Sequence, residues 1–321
     1  MIKVDYTMTY IKGHHHLSMI TKDIYANNYF YETVLGLRRV KKTVNQDDPT
    51  MYHLFFGDRK GTPGTELTFF DMPMAGTTHR GSNAITKIGL VVASEQSLIY
   101  WKERLDQYDV PHGEITTYGN RPALHFEDPD RLRLVFVVEE NDTLDGWEAW
   151  EKSPVLTEHQ IRGVGPVEIK VRRFDKILRT LTEIFHYEEI HRQEEQVILQ
   201  SSHGNTFSEL VVKFLDEPTE RPGRGSIHHL AIRAKDEAEL QHWNKLIRQR
   251  GFVSTGIIDR FYFKSLYFRE SNGILFEIAT DGPGFTIDSD LETLGETIDL
   301  PPALESQRAQ IEAQLKPIEG E

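Results

Sequence analysis

His14, His15 and His16, in YIKGHHHLSM, and His228 and His229, in SIHHLAIRA, are the side chains best suited to hold a metal or carry a proton. Glu277, in GILFEIA, adds a carboxylate, while DRFYFKSLYFRE supplies Arg260 and Tyr267. The three consecutive histidines are flanked by Tyr10, Ile11, Leu17, Met19 and Ile20 and bounded by Gly13, which reads as a strand rather than a purification tag. A strand sends alternate side chains to opposite faces. His14, His16 and Ser18 therefore share one face, and His15, Leu17 and Met19 the other. Two imidazoles and one carboxylate on a common face leave three octahedral positions open, the donor set of oxygen-activating non-haem Fe(II) sites. The plainer alternative makes Glu277 an edge charge and His229 a core histidine. Tyr267 and Arg260 are suited to orient an oxyanion such as a phenolate, or are simply a packed aromatic and a solvated charge.

Choosing between these readings depends on the elements that would bring the residues together. HLSMITKD (16–23) and HLAIRAKD (229–236) share His, Leu, Lys and Asp at equal offsets, and each is followed by a helix-like stretch. KIGLVVAS (87–94) and VEIKVRR (167–173) are weaker echoes, and GTELTFF, RLRLVFV, FSELVVKF and GILFEIA are matching closing strands. The chain thus reads as an α+β fold of four βαβββ modules, about 10–75, 83–140, 160–215 and 226–281. NDTLDGWEAWEKSP links two halves, residues 1–145 and 155–284, and a polar extension with one helix near ALESQRAQIEAQL occupies 285–321. One such module cannot bury both sheet faces, so paired modules forming two open, curved eight-stranded half-barrels are expected. At the repeat position of His16 the other modules carry Lys87, Pro166 and His229. At that of Glu277 they carry Thr68, Val135 and a residue near Val211. Glu277 points inward if Phe276 and Ile278 pack outward. His16 joins His229 and Glu277 only if module 1 pairs with module 4; pairing with module 2 would break the triad. His15 would need a bulge to enter the same cup.

Bulk properties restrict the rest. Lysine and arginine number 37 against 50 acids, a net charge of −13 that repels nucleic acid and anionic membranes. No apolar run approaches a membrane span and no signal peptide is visible, so a cytoplasmic protein is expected. Absence of cysteine excludes disulfides, thiolate ligands and a cysteine nucleophile.

The repeats and triad resemble the vicinal oxygen chelate superfamily, which includes glyoxalase I, fosfomycin-resistance proteins and extradiol dioxygenases. Within it the chain is most similar to hydroquinone-type ring-cleaving dioxygenases. The similarity is carried by LGLRRVKKTVNQDDPTMYHLFFGDRKGTPGTELTFF (35–70), EHQIRGV (158–164), IHHLAIRA (227–234) and LYFRESNGILFEIATDGPGF (266–285). It implies an Fe(II) enzyme acting on an aromatic diol and dioxygen, with Mn, Co or Zn able to occupy the same donors, and a possible homo-oligomer. The metal ligands it implies are His16, His229 and Glu277, with His15, Arg260 and Tyr267 around them. His14 stands where the family has an apolar residue, which makes it a second candidate for the first-strand ligand. A glyoxalase-type lyase or isomerase is the alternative chemistry, and a non-enzymatic binding or resistance protein the alternative class. Thr68, where a second acidic ligand would stand, argues against the glyoxalase type.

Overall fold

The computed structural model describes residues 10–318. Module 1 contributes β1 (His14–Thr21), β2 (Arg38–Asn45), β3 (Asp48–Gly57) and β4 (Glu66–Asp71), and module 2 contributes β5 (Ala84–Val92), β6 (His112–Tyr118), β7 (Arg121–Glu127) and β8 (Arg133–Val138). Module 3 holds β9 (Gly163–Val171), β10 (Tyr187–Gln193), β11 (Gln196–Ser201) and β12 (Leu210–Phe214). Module 4 holds β13 (Ile227–Ala234), β14 (Ile258–Asp259), β15 (Phe263–Arg269) and β16 (Leu275–Pro283). A helix follows each first strand: α1 (Ile24–Asn28), continued by a π turn over Tyr29–Val34, then α2 (Glu95–Gln107), α3 (Phe174–Glu183) and α4 (Glu237–Gln249).

The repeated Asp of the HL…KD stretches has a local task. Asp23 accepts from the amides of Tyr25 and Ala26, and Asp236 from that of Glu239, so each satisfies donors that a helix start leaves unpaired. Ser94 does the same for α2. Module 3 has Arg173 at this point and no side-chain cap.

Two eight-stranded mixed sheets result, in the orders β14-β15-β16-β13-β1-β4-β3-β2 and β10-β11-β12-β9-β5-β8-β7-β6. Module 1 is therefore joined to module 4, and module 2 to module 3, through antiparallel pairs of first strands (β1 with β13, β5 with β9). Leu17, Met19, Leu230, Ile232, Phe276 and Ile278 face the helices in the main apolar core, where each fully buried side chain contributes about 1.5–3 kcal/mol. The opposite face of the first sheet forms a cup. Phe276 and Ile278 pack away from it, as the alternation in FEIA requires.

The extension after β16 is packed rather than loose. Phe285 lies against Phe55 and Tyr262, and Asp299 donates its amide to the Lys42 carbonyl on edge strand β2 at 2.9 Å. The expected single helix is two short ones, Pro302–Glu305 and Arg308–Gln314.

Candidate metal centre

Adjacent strand residues should face opposite ways, yet His15 and His16 both reach the interior of the cup. The register between β1 and β13 explains this. It runs His14↔Ile232 and then His16↔Ala231, skipping His15. The His15 carbonyl, freed from the ladder, accepts from the Gly64 amide at 2.6 Å. A second irregularity, Ser18↔His229 followed by Met19↔Ile227, skips His228. Each bulge re-aims one side chain, and the two sit at corresponding places in modules 1 and 4. Gly13, at φ +156°, immediately precedes β1, where a Cβ would stand 3.0 Å from the Phe207 carbonyl oxygen.

The bulges set up matched imidazole pairs. His15 Nδ1 lies 3.0 Å from His16 Nδ1, and His228 Nδ1 lies 2.8 Å from His229 Nδ1. His16 and His229 then direct their Nε2 atoms at each other, 3.3 Å apart, and at Glu277 Oε2, at 3.2 and 2.8 Å. All three side chains are buried, and Glu277 Oε2 has no well-aligned hydrogen-bond donor. Three lone-pair-bearing atoms converging without a proton to satisfy them fit a divalent cation. With Nε2 kept free for a metal, the Nδ1 of His16 must carry hydrogen and donate to His15 Nδ1. His15 is then protonated at Nε2 and donates to the Thr280 carbonyl at 3.1 Å. Burial alone would raise the Glu277 carboxyl, but His16 and His229 outweigh it and hold it well below the usual carboxylate range. Burial pulls His229 down, against the pull of Glu277, and pulls His15 well down, with His16 adding to the effect. Ser265 Oγ donates to the other carboxylate oxygen, Oε1.

His14 turns away from the cup, its Nε2 3.1 Å from the Glu209 carbonyl oxygen. Thr68 occupies the position equivalent to Glu277, since it pairs with Ser18 as Glu277 pairs with Ala231. Its hydroxyl meets Ser18 Oγ at 2.7 Å. A carboxylate does lie nearby: Glu66 Oε2 is 4.0 Å from His15 Nδ1, and His15, His16 and Glu66 form a second buried group of potential ligands. Burial, reinforced by Asp58 and Glu277, pushes the Glu66 carboxyl well above its usual range, which opposes the ionised form that a metal ligand would need.

The triad opens into a cavity of about 550 Å³ whose wall is mainly apolar, with Phe55, Phe70, Met51, Phe263 and Leu275 among its residues. Tyr267 stands on the module 4 wall, where burial first and Glu277 second raise its phenol, keeping it a hydrogen-bond donor. The Arg260 guanidinium lies 5.5 Å from the Tyr267 ring centre and makes a bidentate pair with Asp47, at 3.1 and 2.9 Å. Burial opposes its charge, but the bonds from Asp47 dominate and raise its pKa. Asp47 lies in the β2–β3 turn, and Gln46 beside it donates to the Arg260 carbonyl at 2.8 Å. The two edges of the sheet therefore meet across the mouth of the cup.

Sequence reasoning thus assembled His16, His229, Glu277, His15 and Tyr267 around one centre, with Arg260 at its rim. It overlooked Ser265, the only residue holding Glu277 Oε1 among those described, and His53 on β3. Ser265 is legible only as an inward-facing neighbour two residues before Tyr267 on the same strand. At the positions equivalent to His53 modules 2 and 4 carry Ala123 and Ser265, so no repeated histidine flags it.

A curved sheet of two βαβββ modules enclosing a buried two-histidine, one-glutamate cluster defines a metal-dependent class of half-barrel protein. The family model described as the Glyoxalase/Bleomycin resistance protein/Dioxygenase superfamily matches residues 13–136. MhqA of Bacillus subtilis, which bears a provisional ring-cleaving dioxygenase name, is 47% identical over 96% of this chain and 99% of its own length. The chlorohydroquinone/hydroquinone 1,2-dioxygenase of Sphingobium indicum is 30% identical over 94% and 95%. A crystal structure from Bacillus subtilis, provisionally called a dioxygenase, superposes with a TM-score of 0.90 at 35% identity, covering 98% of this chain and 99% of that one. The chain belongs to the glyoxalase, bleomycin-resistance and dioxygenase superfamily, within its ring-cleaving dioxygenase relatives.

Proposed function

We propose that the protein is an Fe(II)-dependent ring-cleaving dioxygenase for a hydroquinone- or catechol-type aromatic diol, with His16, His229 and Glu277 as the metal ligands. The observation that carries this reading is the convergence of those three groups at the base of an aromatic-lined cavity. A bound Fe(II) would supply Lewis acidity toward the diol and an open position for dioxygen. The residues of the chain do the rest. The aromatic wall takes the flat ring and excludes water. The phenol of Tyr267, kept protonated, is placed to donate to the substrate oxygen held at the triad, and the Arg260 charge steadies negative charge on that oxygen. Both ring nitrogens of His15 are engaged, so its part is to fix the tautomer of His16 rather than to take a substrate proton. The hydroxyl of Thr68 in the fourth-ligand position disfavours glyoxalase chemistry, which generally requires a carboxylate there.

Anaerobic loading with Fe(II), followed by oxygen uptake on a panel of hydroquinones and catechols, tests the proposal. Uptake with a new ring-opened chromophore, abolished in both His16→Ala and Glu277→Ala, is the expected outcome. Full turnover in either variant, or no uptake by stoichiometrically loaded protein, would overturn it.

A further inference from the structure

Besides the ligand His16, module 1 presents a second imidazole at the cavity wall, His53 on β3. Its ring stacks on Phe70 with centres 4.3 Å apart and lies 4.2 Å from Phe55. Its Nε2 meets Thr68 Oγ1 at 2.9 Å, and Thr68 in turn meets Ser18 Oγ at 2.7 Å. Ser18 shares a strand face with His16, two residues away. A hydrogen-bonded chain of three side chains, Ser18, Thr68 and His53, therefore runs from the ligand strand β1 across β4 to β3. Burial, with His16 and His229 adding to it, pulls the His53 pKa well below that of a free histidine, so the ring is neutral. A neutral imidazole has one donor and one acceptor nitrogen. Nε2 is spent on Thr68. Nδ1 has no protein partner among the described residues and is not enclosed, so it faces the cavity.

We infer that His53 binds the hydroxyl of the diol that is not held at the metal centre, and so selects a 1,4-disposed diol over a 1,2-diol. In a largely apolar pocket a few placed polar groups fix ligand orientation. Strand order sets the reach. His53 stands on β3, two strands from β1 in the order β1-β4-β3, or roughly 10 Å at the usual strand spacing. A hydroxyl across the ring from the metal-bound oxygen projects toward that wall. An adjacent hydroxyl stays beside the metal. The Phe55 and Phe70 rings bracketing His53 give the substrate ring its seat. His53 is thus a specificity residue, and its role rests on the diol reading proposed above.

Equilibrium binding to Fe(II)-loaded protein without oxygen tests this independently of turnover. Loss of one neutral hydrogen bond predicts that His53→Phe weakens hydroquinone binding by roughly tenfold and leaves catechol binding nearly unchanged. His53→Gln, which keeps a donor and an acceptor, should restore much of the difference. His53→Ala should repeat the loss, and serves if the larger ring does not fold. Iron content should equal that of the wild type in each variant. Unchanged hydroquinone binding in both His53→Phe and His53→Ala, or equal weakening of both diols, overturns the inference while leaving the dioxygenase proposal standing. Selective weakening in a protein whose wild type consumes no oxygen would uphold His53 and reject the dioxygenase.

Discussion

Lys41 offers a sharp test of what holds the cup wall in place. Its side chain is wholly inaccessible, and its Nζ donates to Asp288 at 2.8 Å, Ser289 at 3.0 Å and Asp299 at 2.6 Å, with the Tyr262 ring centre 4.8 Å away. All three acceptors belong to the segment after β16, so one ammonium on β2 pins that segment to the sheet. Lys41→Met keeps the aliphatic stem but leaves two carboxylates facing each other without a counter-charge. Breaking a buried ion pair from one side costs about 3–5 kcal/mol. Here the acids keep side-chain exposures of 20% and 15%, so water recovers part of the loss and the lower end, about 3 kcal/mol, applies. Urea unfolding would read the loss directly, and limited proteolysis should show cleavage within 285–318. Lys41→Met combined with Asp299→Asn should regain a good part, because only one uncompensated charge then remains. A loss below about 1 kcal/mol, with the segment still protected, would refute the reasoning and place the anchor in apolar contacts such as Phe285.

Ser265→Ala removes the donor to Glu277 Oε1 and should lower metal affinity about 10–100-fold without unfolding the protein, as read by chelator competition; unchanged affinity would show that Oε1 needs no holding. His14 gives a pH prediction. Burial holds its pKa down to about 4 against an ordinary 6.5, so below 6.5 the unfolded chain binds a proton that the folded chain refuses. Its contribution is intact above pH 6.5 and is lost as pH falls toward 4, about 3 kcal/mol in all. Metal-free His14→Phe should flatten the stability–pH slope by one proton across that range, and an identical slope in urea titrations of both proteins would contradict it.

The repeat made the principal site legible. His16, His229 and Glu277 could be placed together because equal offsets in two modules mark equal places on two strands, and the shared Asp23 and Asp236 mark where each helix begins. Pairing of module 1 with module 4 was needed for the triad, and the sheet order supplies it. Simple alternation could not place His15 and His228, since it assumes an unbroken ladder, and each is turned inward by a bulge whose cause lies elsewhere in the chain. For His15 that cause includes the amide of Gly64, 49 positions away. Lys41 was equally hidden. A lysine in RRVKKTVN reads as a solvated edge charge until the acids that cover it arrive from the far end of the chain.

The order in which the modules pair bears on how the chain assembles. The inner pair, modules 2 and 3, are neighbours along the backbone and join once Val91 meets Gly163, 72 positions on. The outer pair enclose them, and β1 must wait for β13, more than two hundred residues later, before it has a partner on that side. Closing so long a loop slows folding far more than it weakens the product. A chain severed in the linker between modules 2 and 3 would leave His16 on one fragment and His229 with Glu277 on the other. Neither fragment could chelate a cation through this triad, but mixing them should recover metal binding, and recovery would then report docking of two polypeptides into one nested sheet.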